Sequence, residues 1–166
     1  VFLAAGTDGN DFLPQVAGAM VDQGTAVAAR DAGLGVRQLL ANNDLYIAWD
    51  GSSVASYTLN DGQITVNGGV MRVGNNGAAT MNQTGGSVTT ANWFVVGQGG
   101  SQTSTYNLSG GTLDVNTNGG NEKLQVGVWD TVDAHFNVSG DAQVTVHGGG
   151  GEAGGVQVGG DHATAQ

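Results

Sequence analysis

The sequence predicts an all-β chain built as a parallel β-solenoid of about four to five coils, and three observations predict it. A short unit recurs from residue 45 onward. Its strands alternate apolar and polar residues with period two, and no helical period competes after about residue 44. Glycine supplies 31 of 166 residues and proline only one. That glycine share is about 19% against a usual ~7%, without the proline that marks unstructured low-complexity chains.

The unit is visible in four stretches. Residues 45–69 read LYIAWDGSSVASYTLNDGQITVNGG, 71–90 read MRVGNNGAATMNQTGGSVTT, 94–115 read FVVGQGGSQTSTYNLSGGTLDV, and 124–146 read LQVGVWDTVDAHFNVSGDAQVTV. A fifth copy opens at Val156. Each unit runs from an apolar pair ending in Val-Gly, through a polar turn, to a large residue followed by an alternating strand. The large positions are Tyr57, Met81, Tyr106 and Phe136, and the Val of Val-Gly recurs at Val73, Val96, Val126 and Val158, with Ile47 in the first copy. The steps between these are 26, 23, 30 and 32 residues. Such uneven steps place the insertions in turns and keep the strands fixed.

Within a unit, Thr112-Leu113-Asp114-Val115 and Gln143-Val144-Thr145-Val146 put Leu113 and Val115, or Val144 and Val146, on one face. A hairpin meander would also give short strands and glycine turns. The solenoid is favoured because Leu59, Leu108 and Val138 return at one place in the unit, and Ile64, Val88, Leu113 and Val144 at another. Equivalent residues of successive coils would then stack about 4.8 Å apart and fill a narrow core. The Gly85-Gly86 and Gly110-Gly111 pairs fit corners that need positive φ.

The units NWFVVGQGGSQTSTYNLSGGTLDV and KLQVGVWDTVDAHFNVSGDAQVTV resemble the repeats of large bacterial extracellular surface proteins of the autotransporter-like and PEP-CTERM-associated type. The resemblance covers about residues 45–166. It implies a right-handed parallel β-helix exposed outside the cell, structural or adhesive in role. Two departures stand out: Ile47-Ala48 replaces Val-Gly in the first copy, and Asp141 with an extra residue interrupts the last Gly-Gly turn.

Residues 1–44 do not follow the repeat and are expected to form a cap or subunit-exchange segment ahead of a repeat domain at 45–166. Leu34, Val36, Leu39 and Leu40 lie at loosely helical spacing between Asp31, a candidate N-cap, and Asn42. The sequence stops half a coil after Val156, so the expected partner is the chain itself: a head-to-tail homopolymer formed by β-augmentation through residues 1–30.

Candidate chemistry is sparse. GTDGNDFL at 6–13 resembles a single copy of the RTX calcium repeat, which names Asp8, Asn10 and Asp11 as the expected ligands of a calcium ion; a polar loop is the plainer reading. Asp130, Asp133 and Asp141 with His135 form a second acidic group, as paired carboxylates of a polysaccharide-cleaving site would, although turns of solvated acids look the same. His135, His147 and His162 lack metal-ligand spacing. Asn82, Asn107 and Asn137 each begin an N-x-[ST] sequence at one repeat position and read either as glycan acceptors or as an asparagine ladder. Trp49, Trp93 and Trp129 sit near the Val-Gly strand and read as corner covers ahead of a sugar-binding strip.

A net charge of −10 with only four basic residues excludes binding to nucleic acid or an anionic membrane, since few groups can meet phosphate. No run is long and apolar enough to insert in a membrane. The absence of cysteine excludes disulfides and zinc-thiolate sites. The expectation from sequence is therefore a secreted, non-enzymatic structural protein that assembles into a filament or surface layer. The alternative is a carbohydrate-binding or adhesive module whose partners are surface glycans.

Overall fold

A computed structural model describes residues 19–21, 30–31, 37–120, 123–129, 131–148, 155–160 and 164–165. Every element among them is a strand. The chain opens with β1 (Ala19–Val21), β2 (Arg30–Asp31) and β3 (Arg37–Ala41). It then repeats a short, a long and a medium strand: β4 (Leu45–Ile47), β5 (Val54–Leu59), β6 (Gln63–Val66); β7 (Met71–Val73), β8 (Ala78–Gln83), β9 (Ser87–Thr90); β10 (Phe94–Val96), β11 (Thr103–Leu108), β12 (Thr112–Val115). The fourth set is β13 (Lys123–Val126), β14 (Asp133–Val138) and β15 (Gln143–Val146), followed by β16 (Gly155–Val158) and β17 (Thr164–Ala165).

The strands sort into three sheets by their place in the set. The first sheet runs β1-β4-β7-β10-β13-β16, the second β17-β14-β11-β8-β5, and the third β15-β12-β9-β6-β3-β2. Pairing is parallel throughout except where β1 meets β4 and β2 meets β3, both antiparallel. The helical expectation for Asp31–Asn42 is corrected over its described part: Arg37–Ala41 is strand and pairs in parallel with β6, Leu39 opposite Ile64 and Ala41 opposite Val66, while Leu34 and Val36 lie outside the described residues. Alternation decides the matter, because Leu39 and Ala41 are buried while Gln38 and Leu40 are not. No helix among the described residues is long and apolar enough to cross a membrane.

Register is what the repeated sequence encodes. Tyr57, Met81, Tyr106 and Phe136 lie opposite one another across the second sheet, and Ile64, Val88, Leu113 and Val144 across the third. In the first sheet Leu45, Met71, Phe94, Leu124 and Val156 form a row. A one-residue slip would turn each of these rows out to solvent, so the hydrophobic pattern fixes the pairing. Phe94, Met71 and Leu124 are fully or almost fully buried, and each such side chain contributes about 1.5–3 kcal/mol of transfer free energy.

The corners explain the glycines. At the exit of the first sheet Gly74, Gly97, Gly127 and Gly159 all adopt positive φ, between 67° and 79°, and Ala48 takes φ 61° at the same place in the first set. Between the second and third sheets the expected corner pairs divide the work. Gly86 and Gly111 supply positive φ, and Gly85 and Gly110 allow close approach, since a Cβ on either would lie 2.3–2.4 Å from a carbonyl oxygen of the preceding turn.

Candidate functional site

Among the described residues a dense polar arrangement surrounds Asp44, immediately before β4, and Arg72 in the middle of β7. The parallel register of β4 and β7 sets Tyr46 opposite Arg72, and alternation directs both away from the core row. Tyr46 donates its hydroxyl to Asp44 Oδ2 at 2.5 Å, and Arg72 Nη1 donates to the same oxygen at 2.6 Å. The other carboxylate oxygen, Oδ1, accepts the Val70 backbone N–H at 2.7 Å. Arg72 Nε donates to Gln98 Oε1, one turn further along. The guanidinium also lies over the Tyr46 ring, 5.0 Å from its centroid, and Trp49 meets that ring edge-on at 4.3 Å.

Burial of Asp44 by itself would raise its pKa. The hydrogen bonds from Tyr46, Val70 and Arg72 and the charge of Arg72 outweigh that and hold the carboxyl below its usual 3.8. Asp44 is therefore a carboxylate at neutral pH, and its oxygens and the Arg72 fork are already engaged. The group clamps three successive turns together, and Trp49, 40% exposed, forms its outer wall. None of this was legible as a motif, since Asp44, Arg72 and Gln98 stand 26 to 28 residues apart. The usable signal was the repeat register, which aligns Tyr46 with Arg72.

The sequence-predicted residues are dispersed. Asp8, Asn10 and Asp11, the expected calcium ligands, lie outside the described residues, as do Asp130 and His162. Asp133 pairs with His135 at 3.0 Å on β14, and His147 pairs with Asp114 at 2.7 Å. Asp141 occupies the exposed corner before β15. Among the described residues no three His, Cys, Asp or Glu side chains converge as a metal site. Asn82, Asn107 and Asn137 do form a ladder: Asn107 Nδ2 donates to Asn82 Oδ1 and Asn137 Nδ2 to Asn107 Oδ1, both at 2.8 Å. A second column, unforeseen, runs along the corner after the third sheet, where Asn118 Nδ2 donates to Asn92 Oδ1 and Asn92 Nδ2 to the Gly68 carbonyl. Trp129 is 54% exposed one residue out of line with Trp49, so the two do not share a row.

The model of the MOFRL family, a domain found in glycerate kinase-like enzymes, matches residues 1–67 of this chain. The match spans less than half of the sequence. No curated protein and no solved structure matches. The family match corrects four expectations. The resemblance to bacterial extracellular surface repeats gives way to this match with the model of an enzyme-associated domain, and with it go the structural filament or surface layer, the adhesive alternative, and the non-enzymatic assignment. The repeat pattern misled because its valines, glycines and asparagines are the requirements of stacked parallel strands. Any chain stacking strands this way meets them, whatever its function.

The matched span does not coincide with a structural boundary. Its described part contains β1 to β6, and the last four of these pair in parallel with strands beyond or within it: β4 with β7, β5 with β8, β6 with β9 and β3 with β6. The Asp44–Arg72 pair crosses the same line.

Proposed function

We propose that this chain is part of a glycerate kinase-like enzyme, in which residues 1–67 supply the MOFRL-type segment and the later turns extend it as a rigid scaffold. The family match over residues 1–67 is the observation that carries this reading. In it, the three sheets wrap one shared core as a right-handed β-solenoid. The return of every third strand to the same sheet and the right-handed rule for parallel crossovers support this.

The chemistry of a kinase needs cationic groups against transferring phosphate. The four basic residues of the chain all fall on described strands, Arg30 on β2, Arg37 on β3, Arg72 on β7 and Lys123 on β13, and of these Arg72 is committed to Asp44 and Gln98. The reading therefore gives the strands around Arg72 a positioning role. The test is a coupled assay for ATP-dependent phosphorylation of glycerate on the full-length protein that carries this chain, with and without residues 1–67. Turnover that is lost on deletion supports the reading. Absence of turnover, with no binding of glycerate or nucleotide by calorimetry, overturns it.

A further inference from the structure

The sequence holds three Asn-Gly dipeptides, at 67–68, 76–77 and 118–119, and the fold treats them differently. Asn67 and Gly68 are both exposed, at the corner joining β6 to β7. Among the described residues neither the Asn67 side-chain amide nor the Gly68 backbone N–H has a hydrogen-bond partner. At the second dipeptide Gly77 is buried, its Cα pressed against the Asp50–Ser53 turn; a Cβ there would lie 2.4 Å from both Asp50 O and Ser53 Oγ. At the third, the Gly119 N–H donates to Asn116 O at 2.8 Å and the Asn118 amide donates to Asn92 Oδ1 at 3.2 Å, so both reacting groups are engaged.

We propose that Asn67 is a site of spontaneous backbone modification, converting to aspartate and isoaspartate through a cyclic imide with Gly68. The Gly68 amide nitrogen, deprotonated by hydroxide, attacks Asn67 Cγ. The N–Cγ bond forms, the Cγ–Nδ2 bond breaks, and the side-chain nitrogen leaves as ammonia after taking a proton from water. Water then opens the five-membered ring at either carbonyl. One product is aspartate and the other is isoaspartate, with an extra methylene in the main chain.

The architecture cannot remove the hazard by changing residue 68. A Cβ at that position would lie 2.1 Å from the Asn42 carbonyl oxygen, so glycine is required by the turn stacked beneath it. The unhindered nitrogen that makes the dipeptide reactive is thus imposed by the close approach of two turns. Opening to isoaspartate lengthens the corner by one backbone atom, and it does so where β6 and β7 must both stay in register with their neighbours.

The test is peptide mapping by mass spectrometry of the intact chain during incubation at mildly alkaline pH, with enzymatic methylation of isoaspartate as a second readout. The Asn67 peptide is expected to acquire acid forms severalfold faster than the Asn76 and Asn118 peptides, and Asn67→Gln to abolish most of the methylatable product. In denaturant the three peptides are expected to convert at similar rates, which assigns the difference to the fold. Equal rates in the folded chain, persistence of Asn67 while either of the others converts, or no conversion at any of the three would overturn the proposal.

Discussion

Tyr106 donates its hydroxyl to Gln83 Oε1 at 2.5 Å inside the apolar core, tying the second turn to the third. Gln83 occupies a row otherwise filled by Leu59, Leu108 and Val138, and it is fully buried. Its amide donates to the Gly86 and Thr112 carbonyls at 3.3 and 3.2 Å, so the polar intruder is satisfied at both ends. The pair acts as a key that fits one turn onto one other.

Removing one half of that key is expected to hurt more than removing both. Gln83→Leu restores the apolar row yet leaves the buried Tyr106 hydroxyl without an acceptor, which costs about 1–3 kcal/mol. The double variant Gln83→Leu with Tyr106→Phe should recover most of the loss. Urea denaturation of the two single variants and the double variant measures the coupling; additive losses would show that the hydrogen bond contributes nothing.

The Asp44 cluster predicts an acid dependence with a definite sign. Burial raises the Asp44 pKa, but the Tyr46, Val70 and Arg72 hydrogen bonds lower it further, so the folded carboxyl titrates below its ordinary 3.8. The stabilisation from this group is complete above that value and drains away as pH falls through the lower, folded-state pKa. Stability measured by denaturant titration between neutral pH and strongly acidic pH should fall more steeply in the native chain than in Asp44→Asn.

At the alkaline end the buried tyrosines dominate. Burial pushes the Tyr57 hydroxyl up to about 12 and drives the Tyr106 hydroxyl upward as well. A raised folded-state pKa gives stability that is fully present below the ordinary 10.0 and is lost as pH climbs toward the folded value. Ultraviolet titration should therefore show delayed phenolate absorbance, and alkaline unfolding should accompany it. Phenolate appearing fully near the ordinary value in a chain that remains folded would contradict the burial.

Gly97 tests the corner column. Its φ is +67°, and a Cβ would sit 2.7 Å from Ala134 Cβ and 2.9 Å from Val132 Cγ2. Gly97→Ala combines an unfavourable left-handed backbone with a clash against the next turn, and is expected to destabilise by about 2 kcal/mol or more. Thermal denaturation reads the loss; an unchanged midpoint would mean that the corner relaxes freely.

Much of the strand register could be read from sequence, because stacked parallel strands demand the same residue class at the same place in every turn. Tyr57, Met81, Tyr106 and Phe136 announce their row for that reason. The opening segment was harder. Leu34, Val36, Leu39 and Leu40 satisfy a loosely helical spacing, whereas the inward pair is Leu39 with Ala41, and the antiparallel pairings of β1 with β4 and of β2 with β3 carry no repeat to reveal them. Gln83 broke the row it belongs to, and only the tyrosine one turn away explains why. The Asp44–Arg72–Gln98 clamp escaped notice because its members come from three different places in the unit.

The rows of equivalent residues differ in exposure along their length. Val138, Val156 and Val158 belong to rows that are buried in the earlier turns, yet they are 50%, 61% and 61% exposed. Among the described strands each sheet is a line of paired neighbours, so protection from exchange should be higher where a strand is paired on both sides than where it is paired on one. Loosening of any one row would then be felt first by the rows beside it, so a disturbance travels along a sheet as along a line of coupled neighbours.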